Sequence, residues 1–254
     1  FLLLPHVHMC YFIHVDLGTC PHHPGGNQQM FIVTILSQKG GTGKTTLAIN
    51  LATASELAGK PAVIIDLDPQ ASAKAWQDSR GDKAPAVISA QASRLPELLD
   101  TARKHGAELV VIDTAPHSET ASLAAARAAD LIFIPCRPGI LDIRAISASV
   151  DVASLSKKPA IAVISAAPHN GSLGDEAEQA IKSYNLAVAP IRITERRAFI
   201  RSLTASQSVQ EYEPKGRGAE EIQQFYKFTL SQLNKFTRTQ SHMSTRGHLK
   251  ERTA

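Results

Sequence analysis

The stretch SQKGGTGKTT (37–46) joins an apolar run, MFIVTILS (30–37), to an amphipathic segment that opens at Thr45. A glycine-rich turn that leaves a strand and opens a helix is the setting of a phosphate cradle. The glycines let backbone amides turn inward and approach an anion, and the helix N-terminus adds favourable potential for it. Gly40, Gly41, Thr42, Gly43, Lys44, Thr45 and Thr46 are therefore the candidate nucleotide-binding residues. In such a loop the lysine, Lys44, reaches the β and γ phosphates, and the hydroxyl of Thr45 ligates Mg²⁺. The common pattern G-x-x-x-x-G-K-T asks for glycine at position 38, where this chain has Gln38, and a second lysine, Lys39, follows it. A cation inside a phosphate-binding turn is costly unless an anion lies near it.

Past residue 30 the chain alternates short apolar runs with longer amphipathic segments, the pattern of βα units on a parallel sheet. The spacing predicts strands over 30–37, 61–68, 86–89, 108–114, 131–136, 160–166 and 186–193. Most are near-continuous Val/Ile/Leu runs, as expected of strands covered on both faces. Helices are predicted over 45–58, 70–79, 95–105, 119–129, 141–155, 175–184 and 219–236. The fold class is α/β: a single doubly wound, mostly parallel sheet flanked by helices, filling 30–236. Residues 1–29 read as an appended segment. Its His6, His8, Cys10, His22 and His23 have no regular metal-ligand spacing, and no Lys or Arg precedes its short apolar run. Residues 237–254 are polar and basic and are expected to be a disordered tail. Three cysteines, Cys10, Cys20 and Cys136, are too few for a disulfide framework and suit a reducing cytoplasm.

Acidic residues stand at the C-terminal ends of two predicted strands. Asp66 and Asp68, in DLDPQ, are two residues apart and so lie on one face of an extended chain. Asp113 closes the run LVVID and is followed by Thr114, Ala115 and Pro116. Ligands of open α/β sheets bind at that edge, so phosphate loop and carboxylates converge there.

The loop KGGTGKT (39–45) resembles the deviant Walker A loop of the ParA/MinD family of ATPases, and DPQ (68–70) resembles the first switch of its ParA branch. The length from residue 30 and the segment ITERRAFIRSLTASQSVQEYEPKGRGAEEI (193–222) are similar to the small, ParF-type ParA proteins, so the resemblance covers nearly all of 30–236. It implies a P-loop NTPase that hydrolyses ATP to ADP with Mg²⁺ and with weak intrinsic activity. It also implies that Lys39 is a signature lysine reaching the nucleotide of a partner subunit, in a homodimer with ATP sandwiched between the copies. Asp68 then orients the attacking water, Asp66 supports the Mg²⁺ site and Asp113 holds Mg²⁺, often through a water. Catalysis falls to Lys39, Lys44 and Asp68, and the metal to Thr45, Asp66 and Asp113. Residues 114–116 form a second switch, and Asp142 stands at a position linked to the dimer face. His117 and Cys136 are read as incidental.

ParA proteins of this kind bind DNA without sequence preference as ATP-loaded dimers. A ParB-like centromere-binding or adaptor protein stimulates hydrolysis and releases them, which segregates plasmid or chromosomal DNA. The implied location is the bacterial cytoplasm, in association with the nucleoid. The formal charge of +4 decides nothing unless it clusters. Arg192, Arg196, Arg197, Arg201, Lys215 and Arg217 fall within one segment and are the candidate DNA contacts. The alternative is a MinD-like or cargo-positioning ATPase acting on membrane or on a protein complex. Ile222, Phe225, Phe228, Leu233 and Phe236 recur at helical intervals, and that stripe is expected to pack on its own domain rather than on lipid.

Overall fold

The computed structural model describes residues 29–250, with side chains described as far as residue 236. The readings made of residues 1–28 and 251–254 lie outside the described residues. Seven parallel strands run in chain order as β1 (Phe31–Ile35), β2 (Ala62–Asp66), β3 (Ala86–Ser89), β4 (Leu109–Asp113), β5 (Leu131–Cys136), β6 (Ala160–Ile164) and β7 (Ala187–Val188). In the sheet they lie in the order β3-β2-β4-β1-β5-β6-β7. The chain winds outward from β1 in one direction and then crosses to the other side, so the crevice at the C-terminal end of β1 is the switch point where such sheets take ligands.

Ten α-helices cover the described sheet: α1 (Lys44–Leu57), α2 (Ser72–Asp78), α3 (Leu95–Lys104), α4 (Glu119–Ala128), α5 (Ile140–Arg144), α6 (Ile146–Ser156), α7 (Leu173–Lys182), α8 (Arg197–Thr204), α9 (Val209–Tyr212) and α10 (Arg217–Lys250). Alternate strand residues feed two cores, because successive side chains point to opposite faces. Val33, Ile35, Ile64, Val111, Phe133 and Val163 pack under α1 and α10, with Phe225 among them. Its ring lies 4.7 Å from that of Phe133, tilted at 56°. Ile32, Ile65, Val110 and Ile112 face α3 on the other side, and Ile132, Ile134 and Ile164 face α6 and α7.

Three features depart from the sequence pattern. The run 186–193 yields only the two residues of β7, because Pro190 has no N–H to give a ladder. The helix expected over 141–155 divides at Ala145 into α5 and α6. The tail expected to be disordered from 237 instead continues α10 to Lys250. Extending a helix already nucleated on a packed stem costs far less than starting one, and no proline interrupts 237–250.

Candidate nucleotide site

The loop after β1 is shaped by two glycines that no other residue replaces without strain: Gly41 at φ 73° and Gly43 at φ 91°, the latter heading α1. Neighbouring strand ends brace it. Ser165, just past β6, donates its hydroxyl to the Thr42 carbonyl at 2.8 Å. Gln38 N–H donates to Ser149 Oγ at 3.0 Å, and the Gln38 carbonyl accepts His117 N–H at 3.3 Å. Ser149 and Ser165 were not singled out from the sequence; a serine just beyond the C-terminal end of β6 was the available signal for the second.

Lys44 is 7% exposed, and its Nζ donates to the Lys39 carbonyl across the mouth of the loop at 3.2 Å. Burial pulls its pKa below the ordinary lysine value, while Asp113 and then Asp68 pull it back up. The ammonium is thus held inside the loop, within the field of two carboxylates. Lys39 behaves differently. Its Nζ leaves the loop and pairs with Asp142 Oδ1 on α5 at 2.7 Å, with the lysine side chain 37% exposed. That pairing within the chain was not foreseen; the sequence marked Asp142 only by its position.

The strand register brings Asp66 directly beside Asp113, and Ile35, the last residue of β1, beside Asp113 on the other side. Asp113 Oδ2 accepts the Thr45 hydroxyl at 2.6 Å, while its Oδ1 is buried without a partner. Burial raises the Asp113 pKa to about 7; the Thr45 hydrogen bond opposes this and the Asp66 charge adds to it. An orphaned, desolvated carboxylate oxygen next to a threonine hydroxyl fits a hard divalent cation, so Thr45 and Asp113 are the residues that would hold Mg²⁺. That ion would supply charge neutralisation at the phosphates. No cluster of three or more His, Cys, Asp or Glu forms a metal site among the described residues.

Asp66 is fully buried but already occupied. Oδ1 accepts Asp68 N–H at 3.0 Å, and Oδ2 accepts the N–H groups of Ala73 and Lys74 at 3.0 and 3.3 Å. Burial raises its pKa, and those amides pull it back. Its direct work here is to anchor the loop that carries Asp68 and the start of α2. Asp68 is half-buried, free on one oxygen, with Oδ1 accepting Gln70 N–H at 2.9 Å. Between Asp68 and α2, Ala71 sits at φ 48°. A left-handed alanine stores about 1–2 kcal/mol. Thr114 ties the end of β4 to β1 through its hydroxyl, 3.0 Å from the Ile35 carbonyl. Cys136 is buried, and burial together with Asp142 pushes its thiol up to about 12, which leaves it inert as a nucleophile.

The six basic candidates do not form one free surface. Arg192 is held by Asp175 and Glu178 at 2.6 and 2.9 Å, and Arg196 by Glu221 at 2.6 Å. Both guanidiniums are therefore engaged within the fold, unlike the other four. Arg197, Arg201, Lys215 and Arg217 are exposed around α8, α9 and the start of α10.

Residues 33–209 match the family profile described as the CobQ/CobB/MinD/ParA nucleotide binding domain. The chain is 34% identical over 209 residues to the "Maintenance of carboxysome distribution protein A" of Gloeobacter kilaueensis, across 80% of this chain and 94% of that protein. It is 32% identical over 142 residues to the sporulation initiation inhibitor protein Soj of Bacillus subtilis, across 48% of this chain and 56% of Soj. Among solved structures it resembles the ATP complex of a Cyanothece McdA variant, with a TM-score of 0.67 at 18% identity over 80% of this chain and 97% of that one. It also resembles MinD of Pyrococcus horikoshii with Mg-ADP, with a TM-score of 0.64 at 16% identity over 79% and 96%. The fold agrees with these likenesses, and the chain belongs to the CobQ/CobB/MinD/ParA family of P-loop nucleotide-binding proteins.

Proposed function

We propose that this chain is an ATP-driven positioning switch: it binds Mg-ATP, pairs with a second copy across the nucleotide, holds to DNA without reading sequence, and lets go when a partner protein stimulates hydrolysis. The observation that carries the reading is the division of labour between two lysines in one loop. Lys44 is turned inward toward its own phosphate site, and Lys39 is turned outward to Asp142 on the rim. A cation on the rim can leave Asp142 for the phosphates of an opposing copy, as an arginine finger does, which makes turnover depend on pairing. The tether of half-buried Asp68 to Asp66 supports a role for Asp68 in holding the attacking water.

For the cargo, the partitioning of DNA is supported by the exposed quartet Arg197, Arg201, Lys215 and Arg217. Cargo in the form of a protein complex is supported by the similarity to a carboxysome distribution protein along nearly its whole length. Both need the same nucleotide-gated grip on DNA and differ in the adaptor. Among the described residues no helix is long and apolar enough to cross a membrane. The stripe Ile222, Phe225 and Leu233 is buried against the sheet, which leaves it unfit to insert into lipid.

The test is binding of the purified chain to an arbitrary duplex at several salt concentrations, with ATP and with ADP, beside anionic vesicles. Four phosphate contacts predict that log affinity falls with log salt at a slope of about 3.6. ATP-dependent binding with such a slope supports the reading. Vesicle binding without DNA binding would replace it by a membrane-positioning role.

A further inference from the structure

Helix α2 is seven residues long, and its two ends are fastened to different parts of the molecule. At the N-terminal end Asp66 holds the amides of Ala73 and Lys74 with one oxygen and the amide of Asp68 with the other. One buried carboxylate therefore grips both the helix and the loop of the water-positioning candidate. At the far end, Trp76 Nε1 donates to the Gln207 carbonyl at 3.4 Å. Arg80, just beyond, lies 4.3 Å from the centre of the Trp76 ring. Its guanidinium donates to both oxygens of Glu211, at 2.9 and 2.5 Å, and to the carbonyls of Ser206 and Ala84 at 3.4 and 3.0 Å. The Arg80 side chain is only 3% exposed.

Every acceptor but Ala84 belongs to 206–211, the link from α8 into α9. A second tie reaches the same segment from α1. Asn50 Oδ1 accepts Val209 N–H at 2.8 Å, and the Asn50 carbonyl accepts Gln210 Nε2 at 2.9 Å, both bonds being buried. Helices α1 and α2 both begin at the phosphate edge, at Gly43 and beside Asp66, and both make polar contacts to one short segment. That segment is flanked by the exposed cations Arg201, Lys215 and Arg217. The hinge of the arrangement is Ala71, whose left-handed backbone gives the Asp68 loop a strained conformation to relax from.

We propose that α2 is a strut that couples the position of Asp68 to the basic corner formed by α8, α9 and the start of α10, with Arg80 as the positioning residue that makes the coupling rigid. The proposal rests on the reading above for what binds the corner, a nucleic-acid backbone. Because coupling of binding is reciprocal, a nucleotide that shifts the Asp68 loop changes the corner, and a polyanion on the corner shifts the loop that carries Asp68. A bidentate fork, stacked on an indole and closed by two carbonyls, transmits displacement where a flexible lysine would absorb it.

The test uses the full chain and backbone hydrogen exchange over 197–213, with ADP and with a slowly hydrolysed ATP analogue. In the unaltered protein, changing nucleotide should change protection at 206–211 by about fivefold or more. Arg80→Gln should reduce that difference below about twofold, while nucleotide affinity stays within about twofold, since Arg80 touches no part of the phosphate site. Glu211→Gln, which keeps the shape and an acceptor, gives the same comparison if Arg80→Gln does not fold. Stimulation of turnover by duplex DNA should fall in parallel, with basal turnover retained. The strut is overturned if protection at 206–211 is the same with both nucleotides in the unaltered protein, or if the variants keep the full difference. A nucleotide-dependent change at 206–211 without DNA binding in any state would uphold the strut and sink the DNA reading instead.

Discussion

Asp113→Asn isolates the cost of holding a carboxylate ready for a cation. In the folded chain the group has a pKa of about 7 against an ordinary 3.8, chiefly through burial. A raised carboxyl pKa means that folding favours the protonated form. The stability this group contributes is whole below about pH 3.8 and is lost as pH rises through about 7. The gap between the two values, at 1.36 kcal/mol per unit, is about 4 kcal/mol of destabilisation once Asp113 is ionised. At pH 5 less than half of that has been incurred. Asparagine cannot ionise and still accepts the Thr45 hydroxyl, but its amide replaces Oδ1 at a buried position without a partner. That adds a penalty of about 1–3 kcal/mol at every pH. The informative quantity is therefore the slope: the variant should gain about 2–3 kcal/mol on the unaltered protein between pH 5 and pH 8. Urea unfolding in chelator, without nucleotide, at unit pH steps measures it. A difference between the two proteins that stays flat across that range would refute the account of Asp113 as a desolvated charge awaiting a metal.

Lys44→Ala should abolish measurable nucleotide binding by calorimetry, a loss of at least about 2–3 kcal/mol for a charged phosphate contact, with little effect on urea stability because the buried ammonium is itself costly. Asp142→Asn releases Lys39 from a half-exposed ion pair of about 0.5–1 kcal/mol. ATP-dependent dimerisation in the ultracentrifuge should then tighten two- to fivefold, whereas weaker dimerisation would place Asp142 itself in the interface. Phe225→Ala empties the contact with Phe133 beneath α10 and should cost about 3–5 kcal/mol in urea unfolding, with nucleotide affinity unchanged where the variant is folded.

The strands were legible because buried parallel strands are written as Val/Ile/Leu runs. Residues 86–89 and 131–136 form β3 and β5 to the residue. The phosphate loop was legible because glycine and lysine spacing is itself the geometry. The corner was not. Helix α8 presents Ala198, Phe199, Ser202 and Leu203 toward the interior, too short a period to stand out, although Ser208 and Glu211 spell the capping box that begins α9. The ion pairs of Arg192 and Arg196 were not legible for a different reason. Their acidic partners, at 175, 178 and 221, lie as far as 25 residues away, and a count of local charge cannot see them. Ion pairs across sequence separation also hid the roles of Asp142 and Arg80.

Both margins of the sheet are very short, four residues in β3 and two in β7. Pro85 stands immediately before the first and Pro190 just after the second, each lacking the N–H that an incoming strand would use. On the proposed reading, copies of this chain crowd onto a shared surface and meet at high local density, the condition under which open sheet margins recruit one another into fibrils. Truncated and proline-flanked, these margins offer too few ladder bonds to seed such growth. Such margins suit the reversible, nucleotide-driven assembly proposed above, in which copies gather densely and separate again.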